Sequence, residues 1–228
     1  YMELLGAPFD EARDRGSSRG IVTIAPDFAK NVQSVLDCEG STTVAPQASN
    51  FVFLRTAPSA DAPYVANPYL PGVDPLCANN WGDKAVAGQQ FYRFARRGSW
   101  DGIYFGGQEA WFYNPGRRNT AAGAGVIIQP RAGLASIPVY GRAYPEDAAY
   151  PAGTTPQLVA PIGLYSIPAG QRYVATGPFA SAYYWAPTYA PTLEGSDHVV
   201  VKGQTQYYQI SFNHRFAFVQ AADVEVVK

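Results

Sequence analysis

Two cysteines and two histidines are all that 228 residues hold of those types. So few cysteines exclude a disulfide scaffold and permit one bridge at most, Cys38 to Cys77, with two small buried thiols as the alternative. The histidines, His198 and His214, lie outside any HxxxH, HExxH or cysteine-rich context. A zinc site needs three or four convergent ligands, so neither a metal nor a cofactor is expected. Charge is also scarce and nearly balanced, 17 basic against 18 acidic residues. Nucleic-acid binders concentrate positive charge, and the lone basic turn "ARRG" at Ala95 to Gly98 is too short to hold a polyanion. No nucleic-acid partner is expected. No run approaches 18 apolar residues, so no membrane-spanning helix is expected either. GxSxG, P-loop and dinucleotide-binding motifs are missing. The chain begins at Tyr1 without a signal-peptide pattern, which suggests a processed start or a piece of a longer protein.

Aromatics are abundant instead: 16 Tyr, 12 Phe and 4 Trp, among 22 Gly and 19 Pro. Such a composition suits sheets and recognition surfaces, and with little Lys it leans toward a secreted protein. Residues 1–43 read as a mixed lead-in. Within it, "IVTIAPDFAKNVQSVLDCEG" predicts a strand followed by a helix, with Pro26 at the helix start, Val32, Val35 and Leu36 at helical spacing and Gly40 as the stop. Beyond residue 43 the pattern is short strand, turn, short strand. In "WDGIYFGGQEAWFYN" the Gly106-Gly107 pair predicts a hairpin turn, with Trp100, Ile103, Phe105 and Trp111 as inward anchors. Segment 115–125, "PGRRNTAAGAG", reads as a linker with nothing to bury.

After it the pattern repeats. "AVAGQQFYRF" echoes "SIPAGQRYVAT", "WDGIYFGGQEAWF" echoes "YYQISFNHRFAFV", and "FVFLRTAPSADA" echoes "SIPVYGRAYPEDA". These predict two diverged copies of one small β unit, at 44–120 and 121–228. The Ala-Gly-Gln anchors lie 82 residues apart (Ala87 to Ala169) and the Ile anchors 107 apart (Ile103 to Ile210). The second copy therefore carries about 25 extra residues, near 177–200 and rich in Tyr, Trp and Pro. Such an insertion reads as a loop, where recognition concentrates.

No catalytic constellation emerges. Asp61, Asp74, Glu146, Asp147, Asp197 and Asp223 stand in turn-like contexts and read first as solvated turn residues. What remains is an aromatic surface. Tyr92, Tyr104 and Tyr113 in the first copy, and Tyr184, Trp185, Tyr189 and Tyr208 in the second, are the expected ligand contacts. The competing reading places such residues at an interface between the two copies.

The unit "AGQ…W…I.F.G..AWF.N" resembles bacterial SH3-like (SH3b) domains, small β-barrels common on secreted cell-wall enzymes. From "YMELLGAPFDEARDRG" through "GGQEAWFYNP" to "VVVKGQTQYYQISFNHRFAFV", the whole chain resembles the C-terminal region of actinobacterial secreted N-acetylmuramoyl-L-alanine amidases. The resemblance implies a mainly β fold, two SH3-like barrels in tandem after a short mixed lead-in. It implies a secreted, wall-associated, non-catalytic module that binds peptidoglycan or its stem peptides. The zinc-dependent catalytic domain of such enzymes would lie upstream, and His198 and His214 inherit no ligand role. A protein-interaction module packing on that catalytic domain or on a protein partner is the second expectation.

Overall fold

The structure, a computed structural model, describes residues 19–27, 51–65, 84–141, 143, 165–180, 204–213 and 215–227 in full, and the backbone alone at 34–36, 42–44, 183–192 and 195–202. Strands dominate these residues. The first half contains β1 (Gly20–Ile24), β2 (Ser34–Leu36), β3 (Thr42–Val44), β4 (Phe51–Phe53), β5 (Lys84–Val86), β6 (Gln90–Arg97), β7 (Trp100–Phe105), β8 (Gln108–Tyr113) and β9 (Thr120–Ala122). The second contains β10 (Val126–Pro130), β11 (Ser136–Pro138), β12 (Ser166–Pro168), β13 (Tyr173–Ala180), β14 (Tyr183–Thr192), β15 (Gly195–Lys202), β16 (Gln206–Phe212), β17 (Arg215–Gln220) and β18 (Val224–Val226).

Two five-stranded antiparallel sheets result, ordered β8-β7-β6-β1-β9 and β17-β16-β13-β10-β18. They correspond member for member, so the internal repeat is a repeat of topology. The match extends further. A 3-10 turn precedes the last strand of each sheet, at Pro115–Arg117 and at Ala221–Asp223. A two-stranded ladder, β4–β5 or β11–β12, lies beside each sheet. Just after each ladder's first strand a single bridge reaches the edge strand, Arg55 to Trp111 in one copy and Tyr140 to Phe218 in the other.

Period-two alternation builds each core. In the first unit Val22, Ile24, Phe91, Ile103, Phe105, Ala110 and Phe112 face inward and are buried. In the second Ile128, Tyr173, Ile210, Phe212, Ala217 and Val219 do the same. Each large side chain so buried stabilises the fold by roughly 1.5–3 kcal/mol relative to exposure. The β7–β8 hairpin turns at Gly106 and Gly107, with φ of 57° and 78°. Positive φ at both central residues matches the right-handed twist of the flanking strands, which is why glycine stands there twice.

Four sequence expectations change. The helix expected from Pro26 toward Gly40 is not present at Ser34–Leu36, which pairs as a strand with Thr42–Val44. Helical spacing there covers barely one turn, too little to offset helix nucleation, and the ladder satisfies the backbone instead. The lead-in is not separate along its whole length, because β1 sits inside the first sheet between β6 and β9. Segment 115–125 is only partly a connection. Thr120–Ala122 pairs with β1, and Asn119 is fully buried, leaving 123–125 between the sheets. The insert at 177–200 forms a hairpin rather than a loop: β14 pairs with β15, Tyr184 opposite Val201 and Trp185 opposite Val200. The β-branched run Val199-Val200-Val201 favours that extended backbone.

Candidate functional site

The outer face of the first sheet carries a row of aromatic rings. Tyr104 stacks on Phe94 at 4.8 Å and on Tyr92 at 6.1 Å, with interplanar angles of 21° and 11°. Phe94 meets Trp111 edge-on at 5.4 Å, and the Arg97 guanidinium lies 5.3 Å from the centroid of Trp111. Trp100 and Tyr113, directly opposite on β7 and β8, make a second edge-on pair at 5.6 Å. Phe94, Trp100, Tyr104 and Tyr113 are half-buried and Arg97 is exposed, so the row presents ring surface and a cation to solvent.

Gly102 makes this arrangement possible. It lies opposite Trp111, and a Cβ there would stand 2.7 Å from Phe94 Cζ and 3.0 Å from Trp111 Cη2. Gly102→Ala is expected to push both rings off their places and cost about 1–3 kcal/mol. Chemical denaturation measures it, and a neutral result would mean that the row is loosely packed.

The seven expected contact residues separate. Tyr104 and Tyr113 belong to the row. Tyr92, 7% exposed, is buried in an apolar cluster with Ile127 and Val174 of the second unit, packed by Ile21, Phe94, Tyr104 and Val227. It therefore sits at the interface between the copies. Tyr208, expected to point outward, is buried in the second core at 8% exposure. The correction follows from alternation: Tyr208, Ile210 and Phe212 share one face of β16. Tyr184, Trp185 and Tyr189 lie on β14, where only the backbone is described. Cys38, Cys77 and His214 lie outside the described residues. Trp100 and Trp111, expected as inward anchors, occupy the outer face by the same parity rule, opposite Tyr113 and Gly102.

A second cluster is inside the first unit. Asp101, completely buried, accepts from Arg96 Nη1 at 2.9 Å, Arg93 Nη1 at 3.3 Å and Asn114 Nδ2. Asn114 Oδ1 accepts from the Asn119 amide at 2.7 Å, and Asn119 Nδ2 donates to the Tyr113 carbonyl at 3.0 Å. The cluster thereby joins β6, β7, the 3-10 turn and β9. Its residues are enclosed, which makes it structural. In the second unit, Ala175 and Tyr208 take the places of Arg93 and Asp101. Near its 3-10 turn, burial raises the Asp223 carboxyl above the usual range against the pull of Arg131, and burial followed by the Asp223 charge raises Tyr140.

The third feature joins the copies, and the sequence signalled it without explaining it. Gln89, fully buried, donates from Nε2 to the Asn213 and Arg215 carbonyls, both at 2.9 Å, while its Oε1 accepts from the Val86 amide at 2.8 Å. Gln171 donates from Nε2 to the Gly106 carbonyl at 3.2 Å. Each Ala-Gly-Gln anchor therefore grips the hairpin turn of the other copy. The turns also approach each other, since a Cβ on Gly106 would lie 3.3 Å from Asn213 Oδ1. Reciprocal contacts of this kind define a pseudo-two-fold axis. Gln90 strengthens the join: its amide donates to Ser211 Oγ at 2.8 Å, and its Oε1 accepts from the Gly125 amide at 2.9 Å.

Among the described residues no group of three His, Cys, Asp or Glu converges to hold a metal ion, and no helix is long and apolar enough to cross a membrane. Comparison with protein-family models, curated proteins and solved structures found no match.

Proposed function

We propose that the chain is a pair of SH3-like barrels that attaches a secreted, amidase-like protein to peptidoglycan. The doubled strand order, with a 3-10 turn before each last strand, supports the SH3-like reading. The observation that carries the binding reading is the half-exposed aromatic row beside Arg97. Ring faces pack on the apolar faces of sugars and on peptide stems, and an exposed guanidinium suits stem-peptide carboxylates. In this reading the chain performs no catalytic step, and any amidase chemistry belongs to a domain elsewhere in a longer protein. The clasped copies present their surfaces at fixed separation, so two weak contacts on an insoluble polymer combine through effective concentration.

Sedimentation with insoluble peptidoglycan, from actinobacterial and Gram-negative walls in parallel, tests the proposal. The chain is expected in the pellet, and Trp100→Ala with Tyr113→Ala is expected to weaken retention about tenfold, equivalent to about 1.4 kcal/mol. Undiminished retention by the double variant would exclude the row as the contact surface. A wild-type chain left in the supernatant would overturn wall binding and direct attention to a protein partner.

A further inference from the structure

The pseudo-two-fold axis gives each interface position a counterpart, and the pairs show where the symmetry fails. Aligned on Ala-Gly-Gln and on Ile103 with Ile210, Phe94 corresponds to Thr176, Gly102 to Gln209 and Tyr104 to Ser211. In the first unit these positions are filled by the stacked rings. In the second they border a cleft of about 110 Å³, walled by Phe216 and closed by Gly88 and Gln90 of the first unit.

Every side chain at this cleft is uncharged. A carboxylate or ammonium entering it would lose hydration without an opposite charge to replace it. Hydroxyl and carboxamide groups, by contrast, offer both donors and acceptors, at Ser211, Thr176 and Gln209. Apolar surface from Val174 and Phe216 stands beside them. The rim is fixed in advance, because Gln90 is tied to Ser211 and to Gly125. The space suits one small substituent rather than a chain of sugar rings.

We infer that this cleft binds the acetamido group of an N-acetylated amino sugar. The amide of that group needs one donor and one acceptor, and its methyl needs an apolar wall. The choice of an amino sugar rests on the wall-binding reading; the cleft's neutrality does not.

The test follows backbone amide shifts of the full chain on titration with N,N′-diacetylchitobiose, with cellobiose as the sugar lacking acetamido groups. Shifts are expected at Thr176, Gln209 and Ser211 with the first sugar alone. Ser211→Tyr, which installs the counterpart side chain, is expected to weaken binding at least about tenfold. Thr176→Phe repeats the experiment at an exposed position should the tyrosine variant fail to fold. Equal response to both sugars, shifts confined to Trp100 and Tyr113, or no shifts would overturn the inference. Wall sedimentation separates the two readings. Retention by wall without a chitobiose response removes the cleft alone, whereas a chitobiose response at the cleft without retention removes the wall reading alone.

Discussion

Asp101→Ala is expected to destabilise the chain by about 3–5 kcal/mol, the largest loss foreseen here. The carboxylate is completely buried, and its partners Arg93 and Arg96 have side chains only 9% and 16% exposed. Removing it takes one carboxylate partner from each of these two guanidiniums, and Asn114 Nδ2 loses an acceptor. The damage extends beyond one pair, because Asn114 positions Asn119, whose Oδ1 accepts from the Asp27 amide at 2.9 Å. Urea unfolding of the wild type, Asp101→Ala, Arg93→Ala and the double variant forms a cycle that isolates the coupling. A single-variant loss under about 1 kcal/mol would show that water reaches the site and substitutes for the carboxylate.

Gln89→Ala is expected to cost about 3 kcal/mol, and Gln171→Ala less. Gln89 satisfies two carbonyls and one amide in a fully buried setting, and each group left unpaired costs about 1–3 kcal/mol. Gln171 makes one bond across the interface and accepts one from Tyr173 at 2.8 Å. The losses should fall on the coupling between the units rather than on either core. Calorimetry of the wild type is expected to show one cooperative transition, and the double variant two. Two transitions in the wild type would mean that the copies unfold independently and that the clasp contributes little.

Much of the fold was legible in the sequence, for reasons that particular residues make plain. The Ala-Gly-Gln phrases and the two Ile anchors marked the repeat because they serve the same backbone positions twice. Gly106-Gly107 marked the hairpin because few residues other than glycine accept positive φ at both places. Faces were less legible. Trp111 looked like core because it is large and apolar, yet parity places it on the outer face, where Phe94 and Arg97 cover it. Tyr208 looked like surface because it is a tyrosine, yet the same parity places it inside. The role of Gln89 was illegible, since its acceptors lie more than 120 residues away, at separations of 124 and 126. Asp101 gave no sign for a similar reason. Its burial depends on Arg93 and Arg96 of β6 and Asn114, beyond β8, converging on it.

A two-fold arrangement also reverses direction. A glycan strand has a reducing and a non-reducing end, and a strand lying along one unit from end to end would meet the other unit backwards. Identical surfaces on the two copies would then be of little use to a single strand, because one of them would always face the polymer in the wrong sense. Under such a constraint, divergence is the useful outcome: rings and a cation on one copy, uncharged polar groups on the other. The clasp that holds the copies together would then also be the reason that their faces could not stay alike.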